Sequence, residues 1–542
     1  MEERWHRTLL VGGILALACA ALFHFAPTNG DFYWQDAPRH ALNGVFFKDF
    51  FAELPWRDPI GWAQRYYVRY PALTVMFYPP FFYIVEAAAF AIFGVSHEVA
   101  QLTVAGFAFF LGLAGYLLAR KILPVWASLG VALILIGAPE FALWGRQVML
   151  EIPACATELF SIYFFVNYIE ARRPRDIYVS AVFFVVSIYT KQTVALILPA
   201  FLVAIVYAHG WRALRDKHLL LAALTGVIAL APEALITLKI GGVNAASAIN
   251  HPGDLPRTSL RAWFFYGSQL PGQLGIITVV AAAWGLVLAV RGKLKDRWLW
   301  VFMAAWFAVG YLLLSAISLR ESRYDLMILY PVILLAACGL HQLLGEKLPA
   351  QLAVFALGLG TLAYSLAFVP PAVVGGYRAV ADYVARNAPK DGLVVYSGYR
   401  DANFIFDTRE HGERGDLSIL RADKLLLRMA VERQRGVEQT SYSEAEIEGL
   451  LKDYGVGMIV AQIGFWDDLE EMRRFNHLLQ SADYRQVAVF PLSGDVSSND
   501  GRWLQGGARV AIYEPTYPVE RKVRDITIEM PFIKDRFTGH VN

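Results

Sequence analysis

Eleven apolar stretches of roughly bilayer-crossing length fill most of the first 370 residues. They lie near 8–26, 97–119, 124–141, 152–170, 177–190, 192–209, 219–238, 273–290, 298–317, 325–344 and 350–369. In hydrocarbon every backbone amide needs an internal partner, and a helix supplies one for nearly all of them. This part of the chain therefore reads as a polytopic α-helical membrane region. The remainder differs sharply in charge. Residues 375–542 carry 48 charged side chains in 168 residues, whereas 1–374 spread the same number over 374. The sequence thus divides into a transmembrane domain, 1–374, and a soluble α/β domain, 375–542. The formal net charge is only +2. So even a balance offers no polyanion-binding surface, and nucleic acid is excluded as an expected partner.

A twelfth apolar run, 79–94, tests the topology. Its 16 residues reach roughly 24 Å, short of the ~30 Å hydrocarbon core. Cytoplasmic turns concentrate Lys and Arg. With Arg4 and Arg7 inside and 79–94 not crossing, every cytoplasmic turn is cationic: Arg120/Lys121, Arg172/Arg173/Arg175, Arg212/Arg215/Lys217, Arg291/Lys293/Lys295/Arg297 and Lys347. If 79–94 crossed, all five clusters would face outward. The expectation is about 11 transmembrane helices, with a cytoplasmic N-terminus and an extracytoplasmic C-terminal domain. Segment 79–94 then dips into the outer leaflet. The loops 27–96, 142–151 and 239–272 fall on the outer side with the tail.

Other signals are weak. Cys19, Cys155 and Cys338 sit inside apolar runs, as small hydrophobes do. Thr8–Phe25 lacks a small-residue cleavage site before Pro27-Thr-Asn-Gly, so it reads as a retained span. His97-Glu98 begins like a zinc-peptidase helix, but Gln101 stands where the second ligand would be. Gly358-Leu-Gly360 lies inside a span, where close helix packing explains it. In the tail, Ala379–Asn387, Ser443–Tyr454 and Trp466–Gln480 read as helices. Leu393–Tyr396, Gly457–Ala461, Gln486–Pro491 and Ala508–Tyr513 read as strands. The acidic run Asp467, Asp468, Glu470, Glu471 reads as a solvated helix face beside Arg473 and Arg474.

The outer segments hold the chemistry. The first loop opens Asn29-Gly-Asp31-Phe-Tyr-Trp-Gln-Asp36-Ala-Pro-Arg39-His40. Leu42, Phe46, Phe50 and Leu54 follow at i, i+4 spacing, as in an interfacial helix with its apolar stripe toward lipid. Asp36 stands at that helix's start, where a carboxylate serves either as a cap or as a general base. Arg146 and Glu151, Lys191, and Arg320, Arg323 and Tyr324 lie at outer mouths of spans. Ionisable groups at that depth are costly and tend to be functional, although snorkelling explains single cations as well. Together they suit an anionic lipid headgroup held by cations beside a carboxylate base.

Asp36-Ala-Pro-Arg39-His-Ala resembles the Asp-Glu-x-Arg-Tyr-Ala motif of the glycosyltransferase C (GT-C) superfamily. The nearest branch is the protein O-mannosyltransferase-like family, glycosyltransferase family 39, which includes the lipid A aminoarabinose transferase. Tyr78-Pro79-Pro80-Phe-Phe-Tyr83 is similar to its Pro-Pro-Leu-Tyr-Tyr segment, and Arg146 to Pro153 to its second acidic motif. Thr190-Lys191 resembles its Thr-Lys turn, and Arg323-Tyr324 with Tyr330-Pro331 its Arg-Tyr…Pro segment. The matches run in order over about 9–370. Ala37 replaces the usual Glu, Glu151 a commoner Asp, and Tyr78 a frequent His or Lys, for which Arg65 or Arg69 could substitute.

The resemblance implies a GT-C fold and a polyprenyl-phosphate-linked sugar as donor. Transfer would occur on the outer face, with inversion, to a hydroxyl of a lipid, glycan or protein acceptor. It makes Asp36 the catalytic base with Glu151 beside it. Arg39, Tyr78, Arg146, Lys191, Arg320, Arg323 and Tyr324 become candidates for the donor phosphate and lipid. The competing readings are a lipid-pyrophosphate-dependent polymerase or ligase and a lipid-linked-sugar flippase. Membrane lipids are partners in each. The lack of an Asn-x-Ser/Thr sequon favours a bacterial inner membrane. No cofactor is expected with certainty. A divalent cation shared by Asp36 and Glu151 stays open.

Overall fold

Alanine, leucine and valine dominate the apolar stretches, and each stretch coils into helix. The computed structural model describes residues 2–240, 255–429, 433, 436–495, 507–531 and 535–540. The chain divides into two compact units. The first comprises Met1–Ala26, Val75–Phe82 and Gln101–Pro371; the second comprises Pro27–Thr74, Tyr83–Ala100 and Ala372–Asn542.

The first unit is helical throughout. Among the described residues, six helices are long and apolar enough to cross a membrane, or eight when each of two bent pairs counts as one span. The eleven-span reading needs three shorter helices to cross as well: Thr8–His24, Val125–Gly137 and Pro174–Ile188. Phe81–Phe93 remains a short apolar helix of 13 residues. One bent pair is Leu260–Leu274 with Ile276–Val290, turning 118° at Gly275. That glycine has φ +83, a left-handed conformation that glycine adopts without a Cβ clash. Gly358 does what its place in a span suggested. A Cβ there would stand 2.7 Å from the Gly130 carbonyl, so Leu348–Phe368 and Val125–Gly137 pack backbone to backbone.

The second unit is built around a five-stranded mixed sheet. Its strands are β1 (Leu393–Ser397), β2 (Ser418–Arg421), β3 (Val456–Gln462), β4 (Tyr484–Pro491) and β5 (Arg509–Pro515). Their order is β2-β1-β3-β5-β4. β1 runs parallel to β2 and β3, while β5 is antiparallel to β3 and β4. β1 and β3 are buried along their whole length, as a central parallel strand should be. The expected tail elements are present within a few residues. Several were not foreseen, among them the helix Asp401–Glu410 and β2. A hairpin, Asp525–Met530 with Asp535–His540, also lies in this unit.

The first loop differs from its interfacial reading. Helix Asp36–Glu53 buries Leu42 and Phe46 and half-buries Phe50, and of the expected stripe only Leu54 is exposed. Phe46 sits 5.3 Å from both Trp62 and Tyr66 of helix Pro59–Arg69, and Phe50 meets Trp62 at 5.4 Å. The aromatic partners lie about 12–20 residues on, beyond the window of a single-helix pattern. Helix Pro59–Arg69 in turn places Tyr67 against Phe537 of the C-terminal hairpin. The loop and the tail thus share one core.

Polar staples hold that core together. Asp31 is 3% exposed and accepts from the Gly376 and Arg378 amides at 2.9 and 3.0 Å. Burial lifts its carboxyl to about 6, against hydrogen bonds from these amides and from Asp407. Asp407 is raised as well, by burial and then by the charges of Asp31 and Glu410. Two carboxyls in contact cannot both ionise cheaply. Arg400 and Asn403 donate to the Phe32 carbonyl at 3.0 and 2.9 Å. The acidic run is only partly a solvated face: Asp467, Asp468 and Glu470 are exposed, but Glu471 is buried and accepts from the Ser441 amide at 2.6 Å.

Candidate functional site

Two of the first unit's 3-10 turns carry or directly follow a cation of interest. Lys191 precedes the turn Gln192–Ile197, and Arg323 lies in Ser322–Ile328. Both converge on Glu151, the first residue of helix Glu151–Ala171. Lys191 Nζ is 2.7 Å from Glu151 Oε1, and Arg323 Nε is 3.7 Å from the same atom. The side chains of Lys191, Glu151 and Arg323 are only 13%, 3% and 9% exposed, so water screens these charges weakly. Tyr324 lies against both cations at 5.3 Å, and the Arg323 guanidinium also covers Trp144 at 5.2 Å. Glu321 holds Arg323 from the other side at 2.5 Å. The sequence motifs near 151, 191 and 323 therefore meet in one cluster. Its carboxylate lies within ion-pair distance of both cations.

Two other candidates of this unit are engaged elsewhere. Arg146 is 1% exposed and donates to the carbonyls of Ala142, Ser365 and Val369 at 2.8, 3.3 and 2.6 Å. Arg320 donates to the carbonyls of Leu255, Ser318 and Ser315 at 3.0–3.2 Å. Both close backbone at helix ends. Tyr78 is half-buried in the segment that leads into helix Phe81–Phe93.

Polar neighbours of the 323 turn carried no motif. Ser322 donates to Glu140 at 2.6 Å, and Gln273 donates to the buried Asp325, also at 2.6 Å. They hold the turn that presents Arg323. Only folding brings residues 140, 273 and 325 into one place.

In the second unit Asp36 is half-buried at the first turn of its helix, with Gln35 as the preceding cap residue. Gln35 makes no capping hydrogen bond through its side chain. Arg39, one turn on, donates to Asp401 at 2.8 Å and to the Ala72 carbonyl at 2.9 Å. Arg421 reaches the other oxygen of Asp401 at 2.7 Å. Burial would raise the Asp401 carboxyl, but Arg39 and Arg421 outweigh it and hold it below the usual range. Among the described residues, no cluster of three or more His, Cys, Asp or Glu could hold a metal ion.

Comparison with solved structures decides the fold. ArnT from Cupriavidus metallidurans bound to undecaprenyl phosphate matches with a TM-score of 0.61 at 15% identity, over 93% of this chain and 97% of that one. The chain has the glycosyltransferase C fold. This GT-C chain is also similar to the archaeal oligosaccharyltransferase AglB from Archaeoglobus fulgidus, in complex with an inhibitory peptide and a dolichol-phosphate. That match has a TM-score of 0.51 at 14% identity, covering 85% and 70% of the two chains. The arabinofuranosyltransferase AftD from mycobacteria matches at 0.52 and 15%, with 97% of this chain against 42% of that one. By sequence, the family described as dolichyl-phosphate-mannose-protein mannosyltransferase matches residues 78–236 of the GT-C chain. No curated protein matches it by sequence.

Proposed function

We propose that the protein is an integral-membrane glycosyltransferase that moves a sugar from a polyprenyl-phosphate carrier to an acceptor hydroxyl. The observation that carries this reading is the Lys191–Glu151–Arg323 cluster. It puts two shielded cations on one carboxylate, within a fold shared with a structure bound to undecaprenyl phosphate. Asp36 takes the acceptor proton as the acceptor oxygen forms its bond to the anomeric carbon. The anomeric carbon–phosphate oxygen bond breaks on the opposite face, so configuration inverts. The phosphate leaves with one more negative charge, which Lys191 and Arg323 neutralise. Preorganised cations in a water-poor site stabilise developing charge without reorganisation. Tyr324 keeps the two cations together, and Glu151 keeps them aimed. Tyr78 contributes to the carrier lipid's side of the site.

The cationic turns and the parity of eleven spans support a cytoplasmic N-terminus and a tail outside a bacterial inner membrane. The test uses purified protein, a polyprenyl-phosphate sugar and a panel of acceptors, with products read by mass spectrometry. Covalent product from the monophosphate carrier supports the reading. A requirement for the diphosphate carrier would move the protein to the polymerase or ligase class. Carrier movement without product would make it a flippase. Protease added to intact spheroplasts should release a fragment near 375–542, and its protection would overturn the orientation.

A further inference from the structure

Ligands of open α/β sheets settle outside the carboxyl ends of parallel strands, where the outgoing connections diverge. The second unit has such a place, and it is a cleft. Gly398, Tyr399 and Arg400 follow β1, Arg421 ends β2, and Phe465 and Trp466 follow β3. Gln35, Pro38 and Arg39 of the first loop complete the wall. Those last residues bracket Asp36 in sequence.

The wall is cationic and aromatic together. Four guanidiniums line it, from Arg39, Arg400, Arg421 and Arg433, against one lining carboxylate, Asp401. Asp423 and Asp468, which are not part of the lining, pair with Arg421 and Arg433. Beside them, Trp466 stacks on Phe465 at 4.5 Å, and Tyr399 meets Phe465 edge-on at 5.0 Å. Arg433 covers Trp466 at 5.3 Å. Arg400 and Trp466 both adopt left-handed backbone, with φ of 55 and 51, which neither residue type prefers. Strained residues of this kind concentrate at ligand sites. Guanidinium forks match phosphate and carboxylate, and aromatic faces match the apolar face of a sugar ring.

We propose that this cleft binds an anionic sugar unit of the acceptor, gripping its phosphate or carboxylate with the arginines and its ring against the aromatic wall. The word acceptor rests on the transferase reading; the binding itself does not. The cleft then selects acidic glycans, and its Gln35–Arg39 edge brings a neighbouring hydroxyl toward Asp36.

The test measures binding to the full-length protein in detergent, without donor, by calorimetry. The probes are glucose 6-phosphate, glucuronate, glucose and inorganic phosphate. At least one acidic sugar should bind about tenfold more tightly than both glucose and inorganic phosphate, the discrimination worth one good charged contact. The tighter of the two tells phosphate from carboxylate. Arg433→Gln disturbs an exposed pair with Asp468 and the cover over Trp466, and should weaken binding about tenfold while the melting temperature stays put. Trp466→Gly removes the ring at a backbone angle glycine accepts, and should weaken binding similarly. Equal binding of glucose or of bare phosphate overturns the proposal, as does unchanged binding in both variants. Binding that persists while no transfer is found supports the cleft and removes only the transferase reading. Transfer without acidic-sugar binding removes the cleft and leaves the transferase.

Discussion

Each unit contains a carboxylate gripped by two cations, and the surroundings give the two different work. In the membrane unit Glu151 faces Lys191 and Arg323 at 2.7 and 3.7 Å, with Tyr324 and Trp144 packed on the cations. In the other unit Asp401 faces Arg39 and Arg421 at 2.8 and 2.7 Å, at the end of a parallel sheet. Glu151 compensates Lys191 and shares Arg323 with Glu321. Asp401 shares its charge with a cleft that still keeps a cationic excess. A carboxylate so engaged makes a poor base, since its lone pairs are already committed. The base of the proposed reaction is therefore sought in a different carboxylate, and the proposal above gives that role to Asp36.

The most severe test of this contrast is Asp36→Asn. General-base catalysis contributes roughly 10²–10⁴-fold, so transfer should fall by that factor while the variant melts like the parent. Near-normal turnover would leave Asp36 a structural residue of the helix's first turn and dissolve the contrast. Next in size is Lys191→Ala, which takes from Glu151 its shorter ion pair and leaves the longer one with Arg323. Breaking one side of a buried ion pair costs about 3–5 kcal/mol, visible as poor accumulation or a lower melting temperature. Lys191→Met with Glu151→Gln should restore stability but not donor use. Restored activity in that double variant would show the cluster to be scaffold only.

The third test separates staple from base within one loop. Asp31 titrates near 6 in the fold instead of its ordinary 3.8. Between those values the folded chain holds a proton that the unfolded chain has released, so this carboxyl's contribution falls as pH rises toward and past 6. At ~1.36 kcal/mol per pH unit, Asp31→Asn should gain about 2 kcal/mol on the parent between pH 4 and pH 7. A pH-independent difference in thermal unfolding would sink the shared-proton account of Asp31 and Asp407. The smallest effect is a control inside the second unit. Ser443 and Glu446 form a reciprocal cap on helix Glu444–Tyr454, and Ser443→Ala should cost about 1 kcal/mol with transfer unchanged.

Much of the membrane unit was legible because its signals are local. A run of Leu, Ala and Val is a helix wherever it lies in hydrocarbon, and cation clusters count its turns. Lys191, Glu151 and Arg323 were visible as costly charges in apolar sequence, though nothing in their spacing said that they meet. Arg146 and Arg320 carried the same signal yet serve carbonyls, because a buried guanidinium satisfies its donors with whatever acceptors the fold brings near. In the second unit, helix Asp401–Glu410 escaped the periodicity argument because its polar residues Asp401, Asn403, Asp407 and Thr408 are buried along with its apolar ones.

Composition and short-range pattern were enough for the division into a charged tail and an apolar body, for the run of helices, and for Asp36 at the start of its helix. Those properties depend on neighbours within a few residues. Folding alone set the Phe46 stripe against Trp62 rather than against lipid, and gathered residues 151, 191 and 323 into one site. It also drew Arg39 beside Arg400, Arg421 and Arg433 around a sheet end. These are contacts across tens to hundreds of residues. No local pattern encodes them, because the closing of the chain into a packed core is what sets which distant side chains become neighbours.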